Sequence, residues 1–157
     1  RGGIAAPARK VTMQEGSQLE QLCREYASGK LDPLKEDLAG FIHRQAGAIR
    51  RLREEYFGTT AVPPTADEVA VKMFILKSRS INPTREILDQ LDEINREKWI
   101  RGIQSGASPD PQAVAQDWAR LYSPGWRDHR VMAIIYVFER EKDRYLALVR
   151  ESSDAQP

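Results

Sequence analysis

The stretch 126–151 constrains the fold most, because its 26 residues contain neither Gly nor Pro and carry a dense apolar pattern. The apolar residues recur at spacings of three, four and seven, which places them on one side of a helix. This stripe consists of Val131, Ile134, Ile135, Phe138, Tyr145 and Val149. The pattern predicts one long helix at the centre of the fold.

A β-hairpin over 131–149 is the alternative, because 131–138 is rich in β-forming residues and 145–149 could be its return strand. The intervening segment 139–144 lacks the Gly, Asn and Pro residues that tight hairpin turns need. It also places opposite charges three residues apart, which favours a helix surface. The helix is therefore the preferred interpretation.

Capping and breaker residues divide the remaining chain into five further helices. Thr12 with Glu15 and Thr65 with Glu68 have the spacing of capping boxes, and Asn82 precedes a proline as a helix N-cap should. The predicted helices cover 12–28, 32–57, 65–77, 82–103, 110–121 and 126–151. We therefore expect a single all-α domain over 12–151, with orthogonal or bundle-like packing and flexible tails at 1–11 and 152–157.

Composition narrows the possible classes of function. The 157 residues suit one domain, and 24 Lys and Arg against 23 Asp and Glu provide no net field that would attract nucleic acid or an anionic membrane. The single cysteine excludes an internal disulfide and a cysteine-based metal cluster. No apolar run reaches the roughly 18 to 20 residues of a membrane span. A cytoplasmic protein without a cofactor is predicted, and its first residue, Arg rather than Met, suggests a piece of a longer chain.

The segment 99–130 contains all three tryptophans and several arginines. Both residue types are enriched where proteins bind partners, because they combine large contact areas with directional polar groups. The same pattern also fits amphipathic helices that each bury one tryptophan in the core. The candidate partner-binding residues are Trp99, Arg101, Trp118, Trp126, Arg127 and Arg130.

Nucleic-acid binding is a second hypothesis. The predicted helix, short turn and helix over 65–91 resemble the order of a helix-turn-helix unit, although the second helix continues with a mainly acidic surface. The densest basic cluster lies near the end of the helix at 32–57, where the helix dipole also favours positive charge. The candidate phosphate-binding residues are Arg44, Arg50, Arg51 and Arg53.

A metal-dependent enzyme is the third hypothesis, because carboxylates three and four residues apart on a helix can hold a divalent cation. The candidates are Glu86, Asp89, Glu93 and Glu97. On a helical wheel most of this set lies opposite an apolar stripe, which predicts that the acids face solvent. The apolar residues Ile87, Leu88, Leu91, Ile94 and Trp99 are accordingly predicted to point inward.

Surplus apolar surface suggests self-association. The predicted helices at 65–77 and 126–151 carry apolar residues on more than one side, which predicts either a two-fold homodimer or a helix surrounded by its own chain.

No phosphate-binding glycine loop or nucleophile-elbow motif occurs in the sequence. The preferred hypothesis is a non-catalytic regulatory or protein-interaction module that forms a homodimer.

Overall fold

Seven α-helices account for nearly all of the chain that the structure describes. The computed structural model describes the backbone of residues 7–151 and the side chains of residues 17–151. The helices are α1 (Pro7–Ser28), α2 (Asp32–Phe57), α3 (Ala66–Lys77), α4 (Pro83–Ser105), α5 (Pro111–Leu121), α6 (Ser123–Arg140) and α7 (Lys142–Glu151). No strand occurs in this part of the chain, so the all-α prediction is confirmed and the hairpin alternative is wrong.

The central helix is α2, which packs against α3, α6 and α7. Its apolar residues recur three and four positions apart and line one buried side, where Leu38, Ile42 and Ile49 are almost completely buried. Phe138 of α6 and Tyr145 of α7 complete the core, with ring centroids 6.1 Å apart. The helices α4 and α5 form a separate layer, in which α4 packs on α5 and α5 packs on α6.

The predicted long helix over 126–151 is wrong, because the helix is interrupted at Glu141, where α6 ends and α7 begins. The backbone of Glu141 is non-helical, with φ −129° and ψ 41°, and its carbonyl accepts a hydrogen bond from the Arg144 amide at 3.0 Å. A distant contact holds this position, because the Tyr26 hydroxyl of α1 donates to Glu141 Oε2 at 2.6 Å. The break turns α7 back onto α2.

Basic groups also surround the Glu141 carboxylate. Arg144 Nη1 lies 3.2 Å from one oxygen and Lys35 Nζ lies 3.6 Å from the other. The Tyr26 hydrogen bond, with these two cations, lowers the pKa of Glu141, and the same hydrogen bond raises the pKa of Tyr26. The carboxylate therefore stays ionised and links three helices.

The ends of the chain differ in part from prediction. Helix α1 begins at Pro7, so residues 7–11 belong to a helix rather than to the predicted tail. The side chains of the predicted Thr12 and Glu15 capping box lie outside the described residues, as do the segments 1–6 and 152–157. Along 7–151, no helix combines the length and the apolar character needed to cross a membrane.

Gly47 lies inside α2, and we expect Gly47→Ala to raise the free energy of unfolding by about 0.5 to 1 kcal/mol. No second helix approaches closely at Gly40 or Gly47, because a Cβ at either position would contact only arginine side chains. At Gly47 the nearest atom is Arg51 Nη1 at 3.5 Å, an ordinary contact. Urea denaturation followed by circular dichroism measures the change.

Gly29 provides the matched control, because its φ of +86° is costly for any residue with a Cβ. Gly29→Ala should therefore lower the stability. An equal change of the same sign at both glycines would contradict the explanation.

Candidate interaction surface

The inner face of α4 is polar and attaches the helix to the rest of the chain. Glu86 is 6% exposed, with Oε1 3.7 Å from Arg127 Nη1 of α6. One turn further along, Asp89 forms an ion pair with Arg130. The two acids are three residues apart on α4 and the two arginines are three residues apart on α6, so the helices are joined by a matched pair of contacts.

Asn82 fixes the beginning of α4. Its side-chain oxygen accepts a hydrogen bond from the Arg85 amide at 3.1 Å, so the predicted N-cap is confirmed. Its Nδ2 donates to Asp37 Oδ1 of α2 at 3.0 Å, and Asp37 also pairs with the Arg85 guanidinium. The start of α4 is therefore held by polar contacts to the central helix.

Arg101 joins the second half of α4 to α5. Its Nε donates to Glu97 at 2.9 Å, and its Nη1 donates to Asp117 of α5 at the same distance. Arg101 lowers the pKa of the Asp117 carboxyl and its own pKa is raised in return. Beneath this contact, Val114 and Trp118 of α5 are buried.

The outer face of α4 is apolar and open to solvent. Its large side chains are exposed to 60% at Ile87, 56% at Leu88, 49% at Leu91, 67% at Trp99 and 63% at Ile103. We call these five residues the α4 apolar face. A contiguous row of large apolar side chains is typical of a surface that binds a partner, whereas single exposed apolar residues are common.

The orientation of α4 is therefore the reverse of the predicted one. The sequence predicted that Ile87, Leu91 and Trp99 point inward and that the acids opposite them face solvent. Instead the apolar side chains are exposed and Glu86 is the buried one. The ion pairs with α6 explain the orientation. Glu86 and Asp89 can reach Arg127 and Arg130 only when their side of α4 faces α6.

An open groove continues the α4 apolar face at the end of the helix. It has a volume of about 760 Å³ and lies between Trp99, Ile103 and the connection to α5, with Pro109 on its far side. Gly106 has φ +72° and its amide donates to the Gly102 carbonyl at 2.9 Å, which ends α4 and turns the chain away. This arrangement leaves room beside the Trp99 ring.

The predicted partner-binding residues divide between surface and interior. Trp118 is 5% exposed and packs edge-on against the half-buried Trp126, with ring centroids 6.4 Å apart. Arg130 lies over the Trp126 ring, 4.7 Å from its centroid. Arg101, Arg127 and Arg130 form the intramolecular ion pairs described above, so Trp99 alone of the six lies on the α4 apolar face.

The predicted phosphate-binding arginines are mostly engaged with their own chain. Arg44 donates to the Ile81 carbonyl and Arg50 donates to the Val149 carbonyl at 2.9 Å. Arg53 pairs with Asp67 at 2.7 Å, and Arg51 is exposed. Three of the four arginines therefore bond to groups of their own chain, and their binding to phosphate stays a prediction.

The acidic residues considered as metal ligands are each paired with an arginine. Glu86 faces Arg127, Asp89 pairs with Arg130, Glu93 with Arg96 and Glu97 with Arg101. Among the described side chains, no group of three or more His, Cys, Asp or Glu residues is arranged to hold a metal ion. The contacts of Glu86 and Asp89 with α6 orient α4, whereas Glu93 and Glu97 pair with arginines of α4 itself.

The helices predicted to have surplus apolar surface cover most of it themselves. Met132, Tyr136 and Leu146 of α6 and α7 are half-buried against the core, and in α3 the large exposed residue is Leu76. The surplus is on α4 instead.

Comparison with protein-family models, curated proteins and solved structures found no match.

Proposed function

We propose that this chain is a non-catalytic helical interaction module and that the α4 apolar face is the surface that binds another protein. The observation that carries the proposal is the inversion of α4, whose acids face its own chain while five large apolar side chains face solvent. Burying such side chains in a complex removes apolar surface from water, which is the main driving force of protein association. Trp99 is the most exposed member and would act as the central anchor.

The test compares proteins retained by the immobilised chain from an extract of the cells that produce it. The combined variant Leu91→Lys and Trp99→Lys places two charges on the face while keeping residues that favour helix. We expect it to lose the retained proteins. Leu76→Lys is the control, because Leu76 is also 63% exposed but lies on α3.

Circular dichroism should show the same helix content and melting behaviour in all three proteins, since the substituted side chains are at the surface. Retention that is unchanged in the double variant, or that is lost equally in the Leu76→Lys control, would overturn the proposed function.

A further inference from the structure

We infer that the occupant of the α4 apolar face is a second copy of this chain, with the two α4 helices antiparallel about a two-fold axis. This inference rests on the proposed function and names the partner of the same surface. A two-fold interface uses one patch on both copies, so the patch must be complementary to itself when reversed. The order of residues along α4 meets this requirement.

The central row of the face reads nearly the same in both directions. Ile87, Leu91, Asn95, Trp99 and Ile103 follow one another every four residues, with an exposed polar residue in the middle and two large apolar residues on each side. At 1.5 Å per residue, the row is about 24 Å long. Each step of four residues turns about 40° around the helix, so a two-fold axis at Asn95 would place Leu91 near Trp99 of the second copy and leave Ile87 and Ile103 at the margins of the contact.

Asn95 supports this register. Two asparagine side chains at the axis can donate and accept hydrogen bonds reciprocally, because each amide offers both an oxygen and an NH₂ group. A single buried asparagine in a helix pair is a known means of specifying register, since any shifted pairing would leave its polar atoms against apolar side chains.

Charges beside the row favour the antiparallel orientation. Asp92 and Arg96 are four residues apart along one edge of the face, and Arg96 is 62% exposed. In an antiparallel pair the same edges of the two helices meet, so Asp92 would lie against Arg96 of the second copy, twice. In a parallel pair opposite edges of the two helices meet, so Asp92 and Arg96 would not face each other. Among the described residues, no ion pair or hydrogen bond involves the Asp92 carboxylate, whereas Arg96 pairs only with its half-buried neighbour Glu93 at 2.8 Å.

The size of the face sets the expected affinity. Each partner contributes roughly 800 Å² to a standard stable interface, and we expect a contact limited to one helix face and the adjoining groove to bury less. We therefore expect a reversible dimer with a dissociation constant in the micromolar range. Its assembly should depend on protein concentration rather than be complete at all dilutions.

Sedimentation equilibrium of the purified chain, from low micromolar to submillimolar concentration, tests the partner. The wild type and Leu76→Lys should show a monomer–dimer equilibrium, and the Leu91→Lys and Trp99→Lys double variant should remain monomeric. A monomeric wild type would overturn the second copy as partner, while loss of retained extract proteins in the same double variant would still support the proposed function. A dimer that persists in the double variant would show that another surface forms it and would overturn this inference, while the retention experiment would still decide the proposed function.

Cysteine cross-linking tests the orientation in the background Cys23→Ser, which removes the exposed native thiol. Asn95→Cys should form a disulfide-linked dimer, and a mixture of Leu88→Cys and Gly102→Cys chains should cross-link mainly to each other, because these positions lie seven residues before and after Asn95 on the same side of α4. Cross-links mainly between like positions, 88 with 88 and 102 with 102, would establish a parallel pair and overturn the antiparallel arrangement.

Discussion

Phe138→Ala is expected to lower the free energy of unfolding by about 3 to 5 kcal/mol, the range measured when a buried aromatic side chain is truncated. Phe138 is fully buried in α6 and packs near the ring of Tyr145 in α7. Removing it would open a cavity between these two helices and α2. Urea denaturation followed by circular dichroism and tryptophan fluorescence would measure the loss.

Leu76→Ala is the matched control for this prediction, because Leu76 is a large apolar residue that is 63% exposed. Its truncation should change stability by no more than about 0.5 kcal/mol. If Phe138→Ala cost as little as Leu76→Ala, the assignment of the core would be wrong.

Asn82→Ala is expected to destabilise the chain by about 1 to 3 kcal/mol, because it removes both an N-cap and a hydrogen bond to a carboxylate. The cap is the 3.1 Å bond from the Arg85 amide, and the second bond runs from Asn82 Nδ2 to Asp37. Faster hydrogen exchange should appear first in the opening turns of α4. Denaturant titration gives the global loss, and exchange measured by mass spectrometry gives its location.

Asn82→Ser separates the two contributions. Serine can still cap the helix but cannot reach Asp37 with an amide, so its loss of stability should fall between the wild type and Asn82→Ala. Equal losses for the serine and alanine variants would show that the cap contributes nothing and that the link to Asp37 explains the whole effect.

Local rules predicted some of the features that depend on neighbouring residues. The buried row of Leu38, Ile42 and Ile49 in α2 and the N-cap at Asn82 follow from spacing and side-chain chemistry. The capping box predicted at Thr65 and Glu68 is wrong, because the Thr65 side chain makes no capping hydrogen bond at the start of α3. The break at Glu141 could not be predicted in this way, because no Gly or Pro marks it. Its carboxylate is held by Tyr26, which is 115 positions away in the chain.

The orientation of α4 shows a different limit. A helical wheel identifies two unlike faces but does not say which one the rest of the chain covers, and the assumption that the apolar face is inside failed. A signal was nevertheless present. Glu86 and Asp89 have the same three-residue spacing as Arg127 and Arg130. Pairing the two acids with the two arginines would have predicted the observed orientation of α4.

The separation of contacts on α4 has a genetic consequence. A substitution on its inner face, such as one at Asp89, disturbs a contact with Arg130 of the same chain, so a compensating change should arise within that chain. A substitution at Leu91 changes no contact of the chain's own core. A compensating change is therefore expected only in the partner surface that binds the α4 apolar face. If that surface belongs to a second copy, each mutation enters the interface twice, and a charge at position 91 is placed against Trp99 on both sides of the two-fold axis.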